Sequence, residues 1–186
     1  MWQNSGGDYG GGTAVGGHSI STDPLFVSPA AWDLRLQRTS PCRDVGDMTT
    51  LTEDFAGWVR RAGPAPDMGA YELRLASVML EPDRSGGGYP ATVVVYTHTL
   101  TNLGNYTDTF TFSTSSSAGW TVTVLPSALA LGPGSAATVQ VQVQIHAGAI
   151  SGTVDTTVVT AISNFDPTIS DAAVDTTFVL LHRAVL

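Results

Sequence analysis

The sequence predicts an all-β protein in two parts, and three observations predict it. Only 13% of the 186 residues are charged, and Gly, Thr, Ser and Val are abundant. After Leu73 the chain falls into long runs that alternate apolar and polar residues, the period of a half-buried strand. Before Leu73 the apolar pieces are short, have no helical period, and are punctuated by Asp, Gly and Pro. The predicted parts are residues 1–73 and 74–186.

In the second part, "RLASVMLEP" and "TVVVYTHTLTN" open the set of strands. "YTDTFTFSTS" aligns Phe110 and Phe112 with Tyr106. "GWTVTVLP" sets Trp120, Val122 and Val124 against Thr121 and Thr123, which places Trp120 in the core. "ATVQVQVQIH" puts Val139, Val141, Val143 and Ile145 on one face and Gln140, Gln142, Gln144 and His146 on the other. "GTVDTTVVTAIS" and "AAVDTTFVLL" complete the set. "RSGGGYP", "NLGN", "SAGW", "LGPGS", "HAGAISG" and "NFDPT" read as the turns between them. About seven strands at this spacing predict an Ig-like antiparallel β-sandwich. The Cys…Trp…Cys pattern of antibody domains is missing.

In the first part the pieces are "SISTDPLFV", "WDLRLQ", "PCRDVGD" and "MGAYEL". One helical turn is expected around Leu51–Arg61, with Thr52, Glu53 and Asp54 at its start and Arg60 and Arg61 at its end. Short strands joined by turns suggest stacked solenoid coils.

Charge excludes some functions. The net charge is −8 and the eight cationic side chains are all arginine. A chain of this kind is a poor partner for nucleic acid, whose affinity comes largely from Lys and Arg on phosphates, and for anionic membrane surfaces. "FVLL" is too short to span a bilayer, and "MWQNSGGDYGGG" lacks the regions of a signal peptide. Cys42 is the single cysteine, expected as a small buried apolar residue.

The chemistry-bearing residues cluster in "SPCRDVGDMTTLTEDFAGWVRRAGPAPDMGAYE". A catalytic reading would use Asp44, Asp47 or Asp67 as acid or base and Arg43, Arg60 or Arg61 as charge stabiliser. The acids instead fall beside Gly and Pro, where a carboxylate caps its own turn. Turn and cap roles are therefore assigned to Asp23, Asp44, Asp47, Asp67 and Gly69, and no catalytic residue is expected. No cofactor is expected either. A calcium ion would draw on Asp44, Asp47, Asp54 and Asp67, but neither EF-hand nor RTX spacing occurs. His18, His98, His146 and His182 lack metal spacing and are expected at solvent-facing strand positions. Trp2, Trp32 and Trp58 lie near turns, where a sugar-stacking platform is the functional reading.

Two resemblances add to these readings. "DPLFVSPAAWDLRLQRTSPCRDVGD" and "DMGAYE" resemble the C-terminal end of bacterial right-handed parallel β-helix proteins of the choice-of-anchor Q group, and "WQNSGGDYGGG" resembles the preceding coil. Residues 96–163, with "TNLGN", the Trp strand, "LGPGSAATVQVQV" and "AGAISGTVDTTVV", resemble CARDB-like and glycosidase-associated Ig-like modules. The first resemblance implies an extracellular or cell-surface protein. The second implies a spacer, adhesion unit or carbohydrate-associated domain. The expected function is a structural or adhesion module without its own catalytic site, with a subunit of an extracellular filament as one form. The alternative is the accessory C-terminal region of a polysaccharide lyase or glycosidase-like enzyme. Expected partners are copies of the chain, through β-strand pairing, and a surface polysaccharide. An uncovered first coil would recruit strands, with Ala184, Val185 and Leu186 of "TTFVLLHRAVL" as the donor edge.

Overall fold

The computed structural model describes residue 20, residues 22–48 and residues 50–181. The chain divides into two compact units, Met1–Leu75 and Ala76–Leu186. Trp2, "WQNSGGDYGGG", His18, His182, Ala184, Val185 and Leu186 lie outside the described residues.

In the first unit, β1 (Phe26–Ser28) and β2 (Asp33–Leu36) form an antiparallel pair around a single 3-10 turn, Pro29–Ala31. Pro29 suits the first position of that turn because its missing N–H would have no partner there. Trp32 closes the turn in the left-handed region (φ 58°) and donates its N–H to Pro29 O at 3.1 Å. Leu36 and Cys42 are buried. Further along, Gly46 N–H donates to Pro66 O (2.7 Å) and Met68 N–H to Cys42 O (2.8 Å), so these two segments also run in opposite directions.

Parallel coils are thus not shown here: the described residues of this unit contain no parallel ladder. The four residues between β1 and β2, Pro29 to Trp32, can only reverse the chain, whereas a parallel return needs a crossover of about a dozen residues or more. The expected helical turn at Leu51–Arg61 is also corrected. Asp54 N–H donates to Trp58 O (2.7 Å), Arg60 N–H to Thr52 O (2.8 Å), and Glu53 bridges Val59 antiparallel, which makes a tight hairpin loop.

The second unit is an Ig-like two-sheet structure. Its strands are β3 (Val78–Glu81), β4 (Arg84–Gly88), β5 (Val93–Asn102), β6 (Asp108–Ser116), β7 (Thr121–Leu125), β8 (Ala128–Leu131), β9 (Ala136–Gln144), β10 (Val154–Ser163) and β11 (Ser170–Val179). One sheet has the order β4-β11-β10-β6-β8 and the other β3-β5-β9-β7. All pairings are antiparallel except β4 with β11. Val139, Val141, Val143 and Ile145 face the core with zero exposure, as the alternation in that run predicts. With Leu100, Phe110, Val159, Ala161 and Ala173 they form the centre of one cluster. Each large aliphatic buried this way contributes about 1.5–3 kcal/mol. Trp120 lies at the margin of the same cluster.

The first five residues of "RSGGGYP" are a strand, and the turn begins only at Tyr89. β3 leaves its sheet at Pro82, and β4 joins the edge of the opposite sheet. The three glycines are required because the space is filled. A Cβ on Gly86 would lie 3.2 Å from the Tyr96 ring, and one on Gly88 would lie 2.8–2.9 Å from Thr92, Ile145 and Val94.

Candidate functional site

In the first unit the acidic residues are tied to backbone. Asp67 is 2% exposed. Its Oδ1 accepts Asp44 N–H (2.7 Å), its Oδ2 accepts Leu73 N–H, and its own N–H donates to Glu72 Oε1 (2.9 Å). Asp54 Oδ1 accepts the N–H groups of Ala56 and Trp58 (2.8 and 2.9 Å), and its Oδ2 accepts Glu72 N–H (3.0 Å). Asp23 caps Leu25 N–H at 2.9 Å. Asp44, itself left-handed (φ 58°), pairs with Arg43 at 3.0 Å. Gly69 takes φ 146°, where a side chain is strained, and its carbonyl accepts Arg60 Nη2–H at 2.7 Å. Asp47 is exposed, and Arg61 donates to Pro64 O.

Burial pushes the carboxyls of Asp67 and Glu72 up. For Asp67 the N–H bonds from Leu73 and Asp44 pull the other way, and for Glu72 the N–H of Asp67 does. Arg60 Nε stands 3.6 Å from Glu72 Oε1. Burial likewise raises the Cys42 thiol, so it is a poor nucleophile. Carboxylates whose lone pairs hold main-chain N–H groups fix loops and have little left for a cation. Among the described residues no group of three or more His, Cys, Asp or Glu could hold a metal ion.

The second unit carries a buried polar band that pattern reading missed. The tetrapeptide Val-Asp-Thr-Thr occurs twice, at residues 154–157 and 174–177. Antiparallel pairing sets Asp155 opposite Thr177 and Thr157 opposite Asp175. All four face the core with zero exposure. Asp155 Oδ1 accepts Ser116 Oγ–H (2.7 Å), Ser117 Oγ–H (3.2 Å) and Ala118 N–H (2.8 Å), and its Oδ2 accepts Thr157 Oγ1–H (2.6 Å). Burial pushes this carboxyl up, but those bonds outweigh it and hold it below the usual range. Tyr96 Oη donates to Thr176 O (3.2 Å) and stands 2.8 Å from Thr177 Oγ1.

His98 is 1% exposed, so its expected solvent-facing position is corrected. It follows Tyr96 and precedes Leu100 and Asn102 on the inward face of β5. Nδ1–H donates to Pro82 O at 2.9 Å, the carbonyl being able only to accept, and Nε2 stands 3.2 Å from Asp175 Oδ2. Asp175 Oδ1 is buried and has no hydrogen-bond partner. His146 is exposed, and its Nδ1 accepts Gly148 N–H. The doubled tetrapeptide was the available signal for the band.

One strand edge is open. β8 pairs β6 only from Asp108 to Thr111, while β6 runs on to Ser116. Asn164 N–H bonds Thr109 O and Ser117 N–H bonds Thr156 O, so odd-numbered residues of β6 turn their backbone toward β10. Phe112 and Thr114 therefore direct theirs to the open side. A groove of about 290 Å³ adjoins them, walled by Phe112, Thr114, Val122 and Val124.

No protein-family model matches the chain, and no curated protein matches it. It is similar to the secreted serine protease VesC from Vibrio cholerae (14% identity, TM-score 0.40, 55% of this chain and 23% of that one). It is similar to a family 123 glycoside hydrolase from Clostridium perfringens (12% identity, TM-score 0.43, 59% and 28%). It is also similar to the E. coli chaperone DraB (17% identity, TM-score 0.38, 56% and 54%). The chain spans about a quarter of the length of the first two. At TM-scores this low the likenesses carry no argument, and the Ig-like description rests on the strand order above.

Proposed function

We propose that the chain is a non-catalytic structural or adhesion module of an extracellular or cell-surface protein, working through β-strand pairing at its sheet edges. The observation that supports this reading best is the edge Phe112–Ser116. It carries no charged side chain, and natural proteins commonly use charge or Pro to block an edge. In a chain of net charge −8 an uncharged edge can meet a second copy without repulsion. The sequestered carboxylates agree: Asp67, Asp54 and Asp155 already hold backbone or hydroxyl donors. In this reading residues 1–73 are the terminal coils and cap of a β-helix, and the described hairpin segments belong to the cap.

Light scattering on the full chain over a range of concentrations tests the pairing. Concentration-dependent growth is expected, with Thr114→Pro preventing it because one edge N–H is removed. A chain that stays monomeric at high concentration removes self-pairing. Assays of polysaccharide cleavage test the rest: activity that is lost in Asp67→Asn at unchanged melting temperature overturns the non-catalytic reading.

A second reading has its own observation. Trp32 is 85% exposed and Phe55 79% exposed, as an accessory region that stacks on sugar rings would require. Trp58 is less available, since Arg74 covers its ring at 4.2 Å. Retardation by an immobilised polysaccharide, lost in Trp32→Ala, would favour it.

A further inference from the structure

The His98–Asp175 pair ties together three parts of the sandwich through buried side chains. His98 stands on β5, Asp175 on β11, and the Pro82 carbonyl at the crossover between β3 and β4. Both side chains of the pair have zero exposure. A carbonyl oxygen can only accept, so Nδ1 must carry a proton. The other ring nitrogen faces a carboxylate, so a second proton must lie between Nε2 and Oδ2. Removing it leaves a lone pair against a carboxylate oxygen, with no water to separate them.

The crossover is flanked by the β3–β5 ladder and by the β4–β11 ladder, which Leu180 N–H to Gly88 O (2.8 Å) extends, and three bonds that involve side chains add to them. Leu80 N–H donates to Asp171 Oδ2 (2.7 Å), Val174 N–H to Asp83 Oδ1 (2.8 Å) and Arg84 Nε–H to Thr97 O (3.0 Å). β3 has four residues, and three of the five in β4 are glycine, which weakens a strand. We propose that the pair is a proton-operated latch on the β3–β4 crossover: with the proton in place Pro82 is pinned and β4 covers β11, and with the proton lost β4 comes away and leaves the edge of β11 open.

The charged surroundings fit a proton held in place. Burial pushes the imidazole down, but its bond to Asp175, the Asp175 charge and the Pro82 carbonyl together raise it, with Arg84 opposing. On the β10 side the nearest carboxylate is Asp155, held low by its own donors. Tyr96 stays neutral, since burial pushes its phenol up. For a raised imidazole the stabilisation is complete below the ordinary value of about 6.5. It is lost as pH rises through the folded value.

The test is NMR on the full chain between about pH 5 and 9, where an imidazole switches. It follows the His98 ring and the exchange protection of amides in β4 and at Thr176 and Phe178, corrected for intrinsic exchange. Protection there should fall by about tenfold or more, with its midpoint at the ring titration, while β9 and β10 amides keep theirs. Asp175→Asn should abolish the pH dependence, because the amide can donate to an unprotonated Nε2 and leave Pro82 pinned. A ring that titrates without any change in β4, one that never titrates, or an equal fall in Asp175→Asn overturns the latch. If that variant does not fold, coincidence of the two wild-type midpoints decides alone.

Discussion

Asp155 shows how one side chain can organise a turn from inside a core. Its carboxylate gathers two serine hydroxyls, the Ala118 N–H and the Thr157 hydroxyl. Ser116 Oγ in turn accepts Trp120 N–H at 2.8 Å, so the loop leading to Trp120 hangs on this one group. Asp155→Ala would leave four donors without their acceptor. The expected loss is roughly 2–4 kcal/mol in urea unfolding, measured at neutral pH. The pH dependence has a definite sign. The folded carboxyl lies below its unfolded value of about 3.9. Its stabilisation is therefore present above that value and lost as pH falls through the folded one. Urea midpoints followed down to about pH 2 should fall steeply for the wild type, and Asp155→Asn should remove this part of the fall. An unchanged acid limb in the variant would place the acid sensitivity elsewhere.

At the scale of the element, β4 and the turn after it give two opposite expectations. Gly88→Ala puts a Cβ 2.9 Å from Ile145, which is wholly buried and cannot retreat. A cost of about 1–3 kcal/mol is expected in thermal or urea unfolding. Ala91 sits third in the turn Tyr89–Thr92, closed by Thr92 N–H to Tyr89 O at 3.1 Å, and takes φ 65°. That position favours glycine. Ala91→Gly relieves about 1 kcal/mol of backbone strain and returns part of it as unfolded-chain entropy, so a rise of several tenths of a kcal/mol is expected. These same residues show why the strand could not be read in advance. Three consecutive glycines signal a turn unless one knows that Tyr96, Ile145 and Leu180 occupy the space beside them. β9 was legible because its fully buried positions, Val139, Val141 and Val143, are all valine. β10 was only half legible. Apolarity favours Val154, Val158 and Ile162 as the inward set, yet the chain turns Asp155, Thr157, Val159, Ala161 and Ser163 inward. Asp155 and Ser163 find polar partners on β6 and in the loop after it, and partners distant in sequence leave no periodic trace. The hairpin loop at Asp54 was hidden for a similar reason, since its two acceptor bonds imitate the start of a helix.

For the molecule as a whole, the division after Leu75 yields a direct expectation. The second unit contains nine strands, both sheets and the entire valine-rich cluster, and every pairing of its strands is internal. Buried Asn102 and Asp108 are also answered from within: Asn102 donates to Tyr106 O and Leu131 O, and Asp108 accepts from Ser163. A piece comprising residues 76–186 should therefore fold alone and unfold in one cooperative transition. Its urea slope should match about 110 residues of newly exposed surface, on the order of 1–2 kcal/mol per molar. Dispersed amide and methyl signals in a proton spectrum should accompany the transition. The described residues of the first unit have a smaller store of buried apolar groups, with Leu36 and Cys42 buried and Ile20 and Leu25 half-buried. Its stability rests on carboxylates that hold N–H groups, so Asp67→Asn in the full chain should lower one melting transition and leave that of residues 76–186 unmoved. A single merged transition that shifts as a whole, or a collapsed spectrum for the isolated piece, would show that the second unit needs the first to reach its fold.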